Sequence, residues 1–118
     1  MGLTTNLAPR RAVVLGASMA GLIAARVLGE HFDEVVLLER DALPAGAAAR
    51  KGTPHAVHPH GLLARGLEVL EQLFPGFTES MVARGGMLGD MLADIAFDAG
   101  RRRFARSVSG RWALCVSR

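Results

Sequence analysis

Four residues in the first forty positions have the types and spacing needed to hold a nucleotide. Gly16, Ser18 and Gly21 lie in the segment GASMAG, and Glu39 follows Gly21 by 18 positions, at the end of VVLLE. In a dinucleotide-binding turn the first glycine turns the chain out of a strand, and the second lets the backbone approach the pyrophosphate. The third lets helix and strand pack closely. An acid about twenty residues later accepts hydrogen bonds from a ribose.

Ser18 stands where the second glycine of this pattern is usual. Serine is a small replacement, and its hydroxyl can cap a helix or face a phosphate oxygen. The N-terminus of the following helix would present N–H groups and positive partial charge to the phosphates. The alternative is a strand–helix–strand unit without a nucleotide, and Ser18 leaves that alternative open.

The elements that must position these residues can be predicted from hydrophobic periodicity. The apolar run AVVL predicts a buried parallel strand over 11–16. A helix is predicted over 18–29, where small alanines suit close packing on a sheet, and a second buried strand is predicted over 34–39. Strand, helix and strand in this order form a βαβ unit, whose crossover is nearly always right-handed.

The remaining residues carry a different pattern, with one strongly amphipathic helix and several short strands. Leu63, Leu67, Leu70 and Phe74 recur at helical spacing, and the pair Pro75-Gly76 ends that helix. The predicted elements are a loop over 41–59, helices over 60–74 and 77–84, and short antiparallel strands over 91–98, 102–106 and 111–117.

Composition narrows the class of protein. The 118 residues carry a formal charge of +3, half are apolar, and tyrosine is absent. An arginine cluster over 101–106 could contact nucleic acid, but a solvated hairpin tip is the preferred interpretation, so no nucleic-acid partner is predicted. Cys115 is the single cysteine, which fits a reducing cytoplasm and provides no disulfide framework.

Two further patterns imitate functional signals. Arg10 and Arg11 before an apolar stretch resemble an export signal, but glycines break that stretch and a strand–turn–helix accounts for every residue. No apolar run reaches the roughly 18 residues of a membrane span. His55, His58 and His60 have spacings that metal ligands use, but no cysteine or carboxylate stands near them. No metal site is predicted, and the role of these histidines is left open.

The motifs also occur in an order typical of a known family. GASMAGLIAARVL, VVLLERD, HPHGLLARGLEVLEQLFPG and ALCVSR resemble the N-terminal part of FAD-dependent monooxygenases of the aromatic hydroxylase, or para-hydroxybenzoate hydroxylase-like, type. The resemblance implies that Gly16, Ser18 and Gly21 bind the FAD pyrophosphate and that Glu39 binds the adenosine ribose. It also implies that Arg40 lies beside the adenine and that the residues binding FAD include Arg118, at the flavin's ribose or phosphate region.

The fold class expected on this basis is α/β. It comprises a partial Rossmann-like, FAD-binding βαβ unit followed by a helix and a small antiparallel strand region. A flexible leader is expected over 1–10 and an incomplete FAD-binding domain over 11–118. Relatives place an arginine ahead of the long helix, against the pyrophosphate, whereas this chain has VHPHG there.

The implied activity is that of an NAD(P)H- and O₂-using hydroxylase acting on an aromatic or polyketide-like small molecule. No catalytic acid, base or nucleophile can be named, and the family's later FAD-binding motifs are absent from the sequence. The chain is therefore expected to be a truncated piece, inactive alone, that needs the missing C-terminal part or a partner chain. The alternatives are a non-catalytic FAD- or NAD-binding module, or a fragment of a flavin reductase or halogenase.

Overall fold

A computed structural model describes residues 9–46 and 48–117 of the chain. The fold divides into two compact units, Met1–Thr53 and Pro54–Arg118. The described residues form helices and strands in both units, so the mixed α/β class is confirmed. The predicted leader falls largely on residues 1–8, outside the described residues, and the single incomplete domain over 11–118 stays a prediction.

The first unit is a parallel βαβ arrangement, as its hydrophobic pattern predicts. Strand β1 (Arg11–Leu15) pairs in parallel with strand β2 (Glu34–Leu38), and helix α1 (Met19–Leu28) connects them. Alternate residues of β1, Ala12 and Val14, are buried, because successive side chains of a strand point to opposite faces. Two strands do not by themselves establish a Rossmann sheet, and that finer assignment stays a prediction.

The second unit is built around its last strand. Strand β7 (Trp112–Ser117) lies between β3 (Pro59–Leu62) and β4 (Met87–Asp90), antiparallel to both. Helix α2 (Ala64–Leu73) packs on β7, and its Leu67 and Leu70 are buried, as are Ala113 and Leu114 of the strand. The remaining elements are a 3₁₀ turn (Pro54–Val57), helix α3 (Phe77–Ala83) and a hairpin of β5 (Asp98–Ala99) and β6 (Arg102–Arg103).

Three predicted elements of the second unit are wrong in extent or place. His60 does not begin the long helix: it lies in β3 opposite Val116, and α2 begins only at Ala64. The strand predicted over 91–98 is instead a turn after β4, because the Asp90 carboxylate accepts hydrogen bonds from the N–H groups of the next residues and bends the chain. The strand predicted over 102–106 shrinks to two residues.

No helix within residues 9–46 and 48–117 combines the length and the apolar character that crossing a membrane requires.

Candidate functional site

A cleft of about 520 Å³ opens at the carboxyl ends of β1 and β2. Ligands of open α/β sheets bind in this position, just beyond the carboxyl ends of the strands. The residues that line the cleft are Leu15, Gly16, Ser18, Leu38, Glu39, Arg40, Gly52 and Thr53. Four residues chosen from the sequence therefore lie around one cleft, whereas Gly21 is not among the lining residues. Arg118, the sixth residue chosen, lies outside the described residues.

Gly16 and Gly21 are each required by the turn, but for different structural reasons. Gly16 has a φ of +95°, a conformation that side chains disfavour, and its N–H donates a 2.7 Å hydrogen bond to the carbonyl of Leu38. A Cβ on Gly16 would meet no atom within 4 Å. A Cβ on Gly21 would lie 1.8 Å from the carbonyl oxygen of Gly16. Gly16 thus makes the turn, and Gly21 lets α1 pack against it.

Ser18 begins helix α1 at the edge of the cleft. Its backbone is extended, with φ −88° and ψ −177°, and its carbonyl accepts the N–H of Leu22 at 3.0 Å. The first N–H groups of a helix have no acceptor within the helix, so the helix end beside Ser18 carries positive partial charge. Ser18 is the N-cap residue by position, although its hydroxyl does not cap the described first turn of α1.

Glu39 is hydrogen-bonded directly to the turn at the edge of the cleft. Its Oε2 accepts the N–H of Ala17 at 2.7 Å, and its Oε1 accepts the N–H of Asp41 at 3.1 Å. The side chain of Glu39 is only 12% exposed. The hydrogen bond from Ala17, the one from Asp41 and the nearby guanidinium of Arg50 together outweigh burial and lower the pKa of Glu39 to about 2. Glu39 is therefore an ionised acceptor at neutral pH.

Arg50 is the residue of this site that sequence reasoning missed. Its Nη2 donates a 2.8 Å hydrogen bond to the carbonyl of Ala17, and its Nη1 lies 3.1 Å from Oε2 of Glu39. The side chain is 13% exposed. The only signal in the sequence is a single arginine after AGAAA, within the segment predicted as a loop.

Arg40 lies at the rim of the cleft. Its side chain is 78% exposed, and its Nε is 3.9 Å from the carboxylate of Asp41. Asp41 in turn accepts the N–H of Gly52 at 2.6 Å, which closes the loop that brings Gly52 and Thr53 to the cleft. Arg40 is therefore placed to meet a ligand that extends out of the cleft, with few constraints from its neighbours.

The other candidate residues lie in the second unit and form no comparable site. The rings of His55 and His58 are 6.2 Å apart, and His60 lies in β3. The described residues contain no group of three histidine, cysteine, aspartate or glutamate side chains placed to hold a metal ion. In the arginine cluster, Arg103 forms an exposed two-fold ion pair with Asp98, at 3.0 and 3.1 Å.

Comparison with known proteins gives two partial matches. No protein-family model matches the chain. Over 74 residues the chain is 50% identical to Protein Rv3254 of Mycobacterium tuberculosis (strain ATCC 25618 / H37Rv). That match covers 63% of this chain and 16% of Protein Rv3254. Over 69 residues the chain is 41% identical to the tRNA 5-methylaminomethyl-2-thiouridine biosynthesis bifunctional protein MnmC of Pseudomonas entomophila (strain L48). That match covers 58% of this chain and 10% of MnmC.

The chain thus spans a small fraction of the length of both relatives, and these matches correct the family assignment. The expected membership in the aromatic hydroxylase family is wrong. MnmC, the relative whose name states a function, is a tRNA-modification protein, and neither match points to a hydroxylase. The physical reason is that a glycine turn followed by a ribose-binding acid serves any adenine dinucleotide. That pattern carries no information about the reaction that follows.

Proposed function

We propose that the cleft binds the ADP portion of FAD and that this chain is a cofactor-binding part of a flavin-dependent oxidoreductase. The observation that carries the proposal is the tie between Glu39 and the turn. Oε2 of Glu39 accepts the N–H of Ala17, the residue between Gly16 and Ser18, so that acid and turn face one cleft. This is the pairing of phosphate-binding turn and ribose-binding acid that an adenine dinucleotide requires.

The residues of the cleft fit such a ligand. Gly16 turns the chain out of β1 with a φ of +95°, as the first glycine of a pyrophosphate-binding turn does, and the space beside its Cα is open. The N-terminus of α1, at Ser18, supplies N–H donors and positive partial charge for the phosphates. Glu39 supplies an ionised acceptor for the ribose hydroxyls, and Arg40 at the rim supplies a cation beside the adenine or phosphate groups.

The proposal extends to the cofactor and to the reaction class and no further. The match to MnmC supports a flavin-dependent oxidoreductase at most, and the substrate and electron donor are left unassigned. FAD, when bound, would supply hydride or electron transfer, while the residues of this chain would bind and orient its adenosine end. A second candidate is a binding module for NAD, because Glu39 would bind the same ribose in either dinucleotide.

Titration with FAD, followed by quenching of flavin fluorescence, tests the proposal. We expect saturable binding by the wild type, and weaker binding after Gly16→Val, which fills the turn, and after Glu39→Ala, which removes the acceptor. Arg11→Ala is the matched control because it removes an exposed ion pair of the same unit, 2.7 Å from Glu34, away from the cleft. Competition with NAD separates the two candidates.

Folded protein that shows no saturable binding of FAD would contradict the proposal, as would wild-type affinity in both cleft variants. NAD binding tighter than FAD binding would favour the second candidate.

A further inference from the structure

Arg50 connects the turn, the acid and the loop of the first unit through a single side chain. It donates from Nη2 to the carbonyl of Ala17, and its Nη1 pairs with Glu39, whose Oε2 accepts the N–H of the same Ala17. These three contacts link two side chains to both peptide groups of Ala17, the one before it through its N–H and the one after it through its carbonyl. Ala17 is itself buried, so these contacts fix the backbone between Gly16 and Ser18, both of which line the cleft.

The backbone of Arg50 is connected to two further residues of the cleft lining. Its carbonyl accepts the N–H of Thr53 at 3.0 Å, and Thr53 and Gly52 both line the cleft. The carboxylate of Asp41 holds the N–H of Gly52 at 2.6 Å, which closes the same loop. Arg50 therefore anchors the loop to the turn at one point, through its own side chain.

The contacts of Glu39 show what this anchoring achieves. A carboxylate has about four lone-pair positions. Those of Glu39 are directed toward the N–H groups of Ala17 and Asp41 and toward Arg50, and the N–H of Arg40 also contributes, which fixes the carboxylate at the edge of the cleft. Nη1 of Arg50 is buried and makes no well-aligned hydrogen bond within the described ranges, so it acts on Glu39 mainly through its charge. Without Arg50, Glu39 would keep its hydrogen bonds from the N–H groups of Ala17 and Asp41 but would lose the cation that lies 3.1 Å from its Oε2.

We infer that Arg50 is a positioning residue for the nucleotide: it holds Glu39 and the glycine turn in the arrangement that binds the adenosine ribose and pyrophosphate. The inference rests on the proposed function and deepens it, since it adds a residue that does not itself line the cleft. The role depends on the planar guanidinium, which donates from Nη2 to the Ala17 carbonyl while holding its charge 3.1 Å from Oε2 of Glu39. A lysine ammonium carries the same charge but lacks the planar fork of N–H donors.

The test uses the full chain and measures the Kd of FAD by flavin fluorescence quenching. We expect Arg50→Ala to raise the Kd about tenfold, the size of losing a charge-assisted contact that positions the site. Arg50→Lys should restore only a small part of that loss, because it returns the charge without the fork. Arg11→Ala, which removes a guanidinium from an exposed ion pair of the same unit, should leave the Kd unchanged.

A double-mutant cycle separates positioning from a general effect on the fold. Because Arg50 acts partly through Glu39 and partly through the Ala17 carbonyl, Arg50→Ala should raise the Kd less in the Glu39→Gln background than in the wild type. Thermal unfolding followed by circular dichroism establishes that each variant is folded. Should Arg50→Ala not fold, Arg50→Lys carries the test alone, with a raised Kd expected in a folded protein.

Each outcome either supports or overturns the inference. Wild-type affinity in Arg50→Ala, full rescue by Arg50→Lys, or additive effects in the cycle would overturn it while leaving the proposed function intact. Failure of the wild type to bind FAD would instead remove the proposed function, and this inference with it.

Discussion

Glu39 in the first unit and Asp90 in the second are both carboxylates held by backbone N–H groups, and the pKa of each is lowered. Their surroundings differ. Burial would raise the pKa of Asp90, but hydrogen bonds from Ala93, Leu92 and Ser109 outweigh it. Asp90 is 3% exposed, and its oxygens also accept the N–H of Gly110 at 2.8 Å and the hydroxyl of Ser109 at 2.8 Å.

Asp90 and Glu39 differ in whether the carboxylate is placed to bind a ligand. Asp90 uses its acceptor capacity within its own unit, where it ties the turn after β4 to the turn before β7. The carboxylate of Glu39, by contrast, borders a cleft. A lowered pKa is therefore not by itself a sign of function, since the hydrogen-bond donors that lower it can occupy the acceptor positions of the carboxylate.

The largest effect on stability is expected from Asp90→Asn. The amide loses one of the two oxygens, and its NH₂ group would face N–H donors that then have no acceptor in a buried place. We expect its midpoint of urea unfolding to fall further than that of Gly21→Ala or Thr78→Val. Asp98→Asn is the matched control, because its ion pair with Arg103 is exposed and is worth about 0.5 kcal/mol or less.

Equal midpoints for Asp90→Asn and Asp98→Asn would contradict the view that Asp90 organises the second unit.

A smaller but still large effect is expected from Gly21→Ala in the first unit. The new methyl group would lie 1.8 Å from the carbonyl oxygen of Gly16, so helix α1 must move away from the turn. Overpacking of this kind costs about 2 kcal/mol. Thermal unfolding should show the loss, and FAD titration should show weaker binding, because the turn shifts with the helix.

Gly46→Ala provides the comparison for that variant. A Cβ on Gly46 would meet no atom within 4 Å, so this substitution should leave stability unchanged or raise it by about 0.5 kcal/mol. If both alanine variants behaved alike, close packing at Gly21 would not be what the fold requires.

The same contrast explains how much could be predicted from the sequence. The βαβ unit rests on local patterns, an apolar run before Gly16 and a regular helix after it, and these fix elements and order. Arg50 and Asp90 could not be found in this way, because their partners lie 33 and up to 20 residues away. The prediction for His60 is wrong for a similar reason: its segment continues the apolar pattern of α2, but pairing with β7 makes it a strand.

The pH dependence of stability tests the ionised state of Glu39. Its pKa is lowered from 4.5 to about 2 in the folded protein. The folded state therefore binds fewer protons, and the stabilisation is fully present above pH 4.5 and is lost as the pH falls toward 2. We expect the stability difference between wild type and Glu39→Gln to be constant over about pH 6 to 8 and to shrink below pH 4.5.

Urea unfolding at a series of pH values measures this difference. Glu34→Gln, which removes an exposed ion pair with Arg11, is the control and should show no comparable trend. A difference that grew on acidification would mean that the Glu39 carboxylate is not held as an anion.

The smallest effect is expected from Thr78→Val, which tests a third carboxylate, Glu71. The hydroxyl of Thr78, its N–H and the N–H of Gly76 lower the pKa of Glu71, which joins the end of α2 to the start of α3. Valine removes one of these three bonds, so we expect a small loss of stability at neutral pH. Because the bond favours the ionised form, the loss should diminish below the ordinary pKa of 4.5. A loss independent of pH would instead assign the effect of Thr78 to packing. Glu71 would then not be a carboxylate whose hydrogen bonds stabilise the fold in its ionised form, as those of Asp90 do.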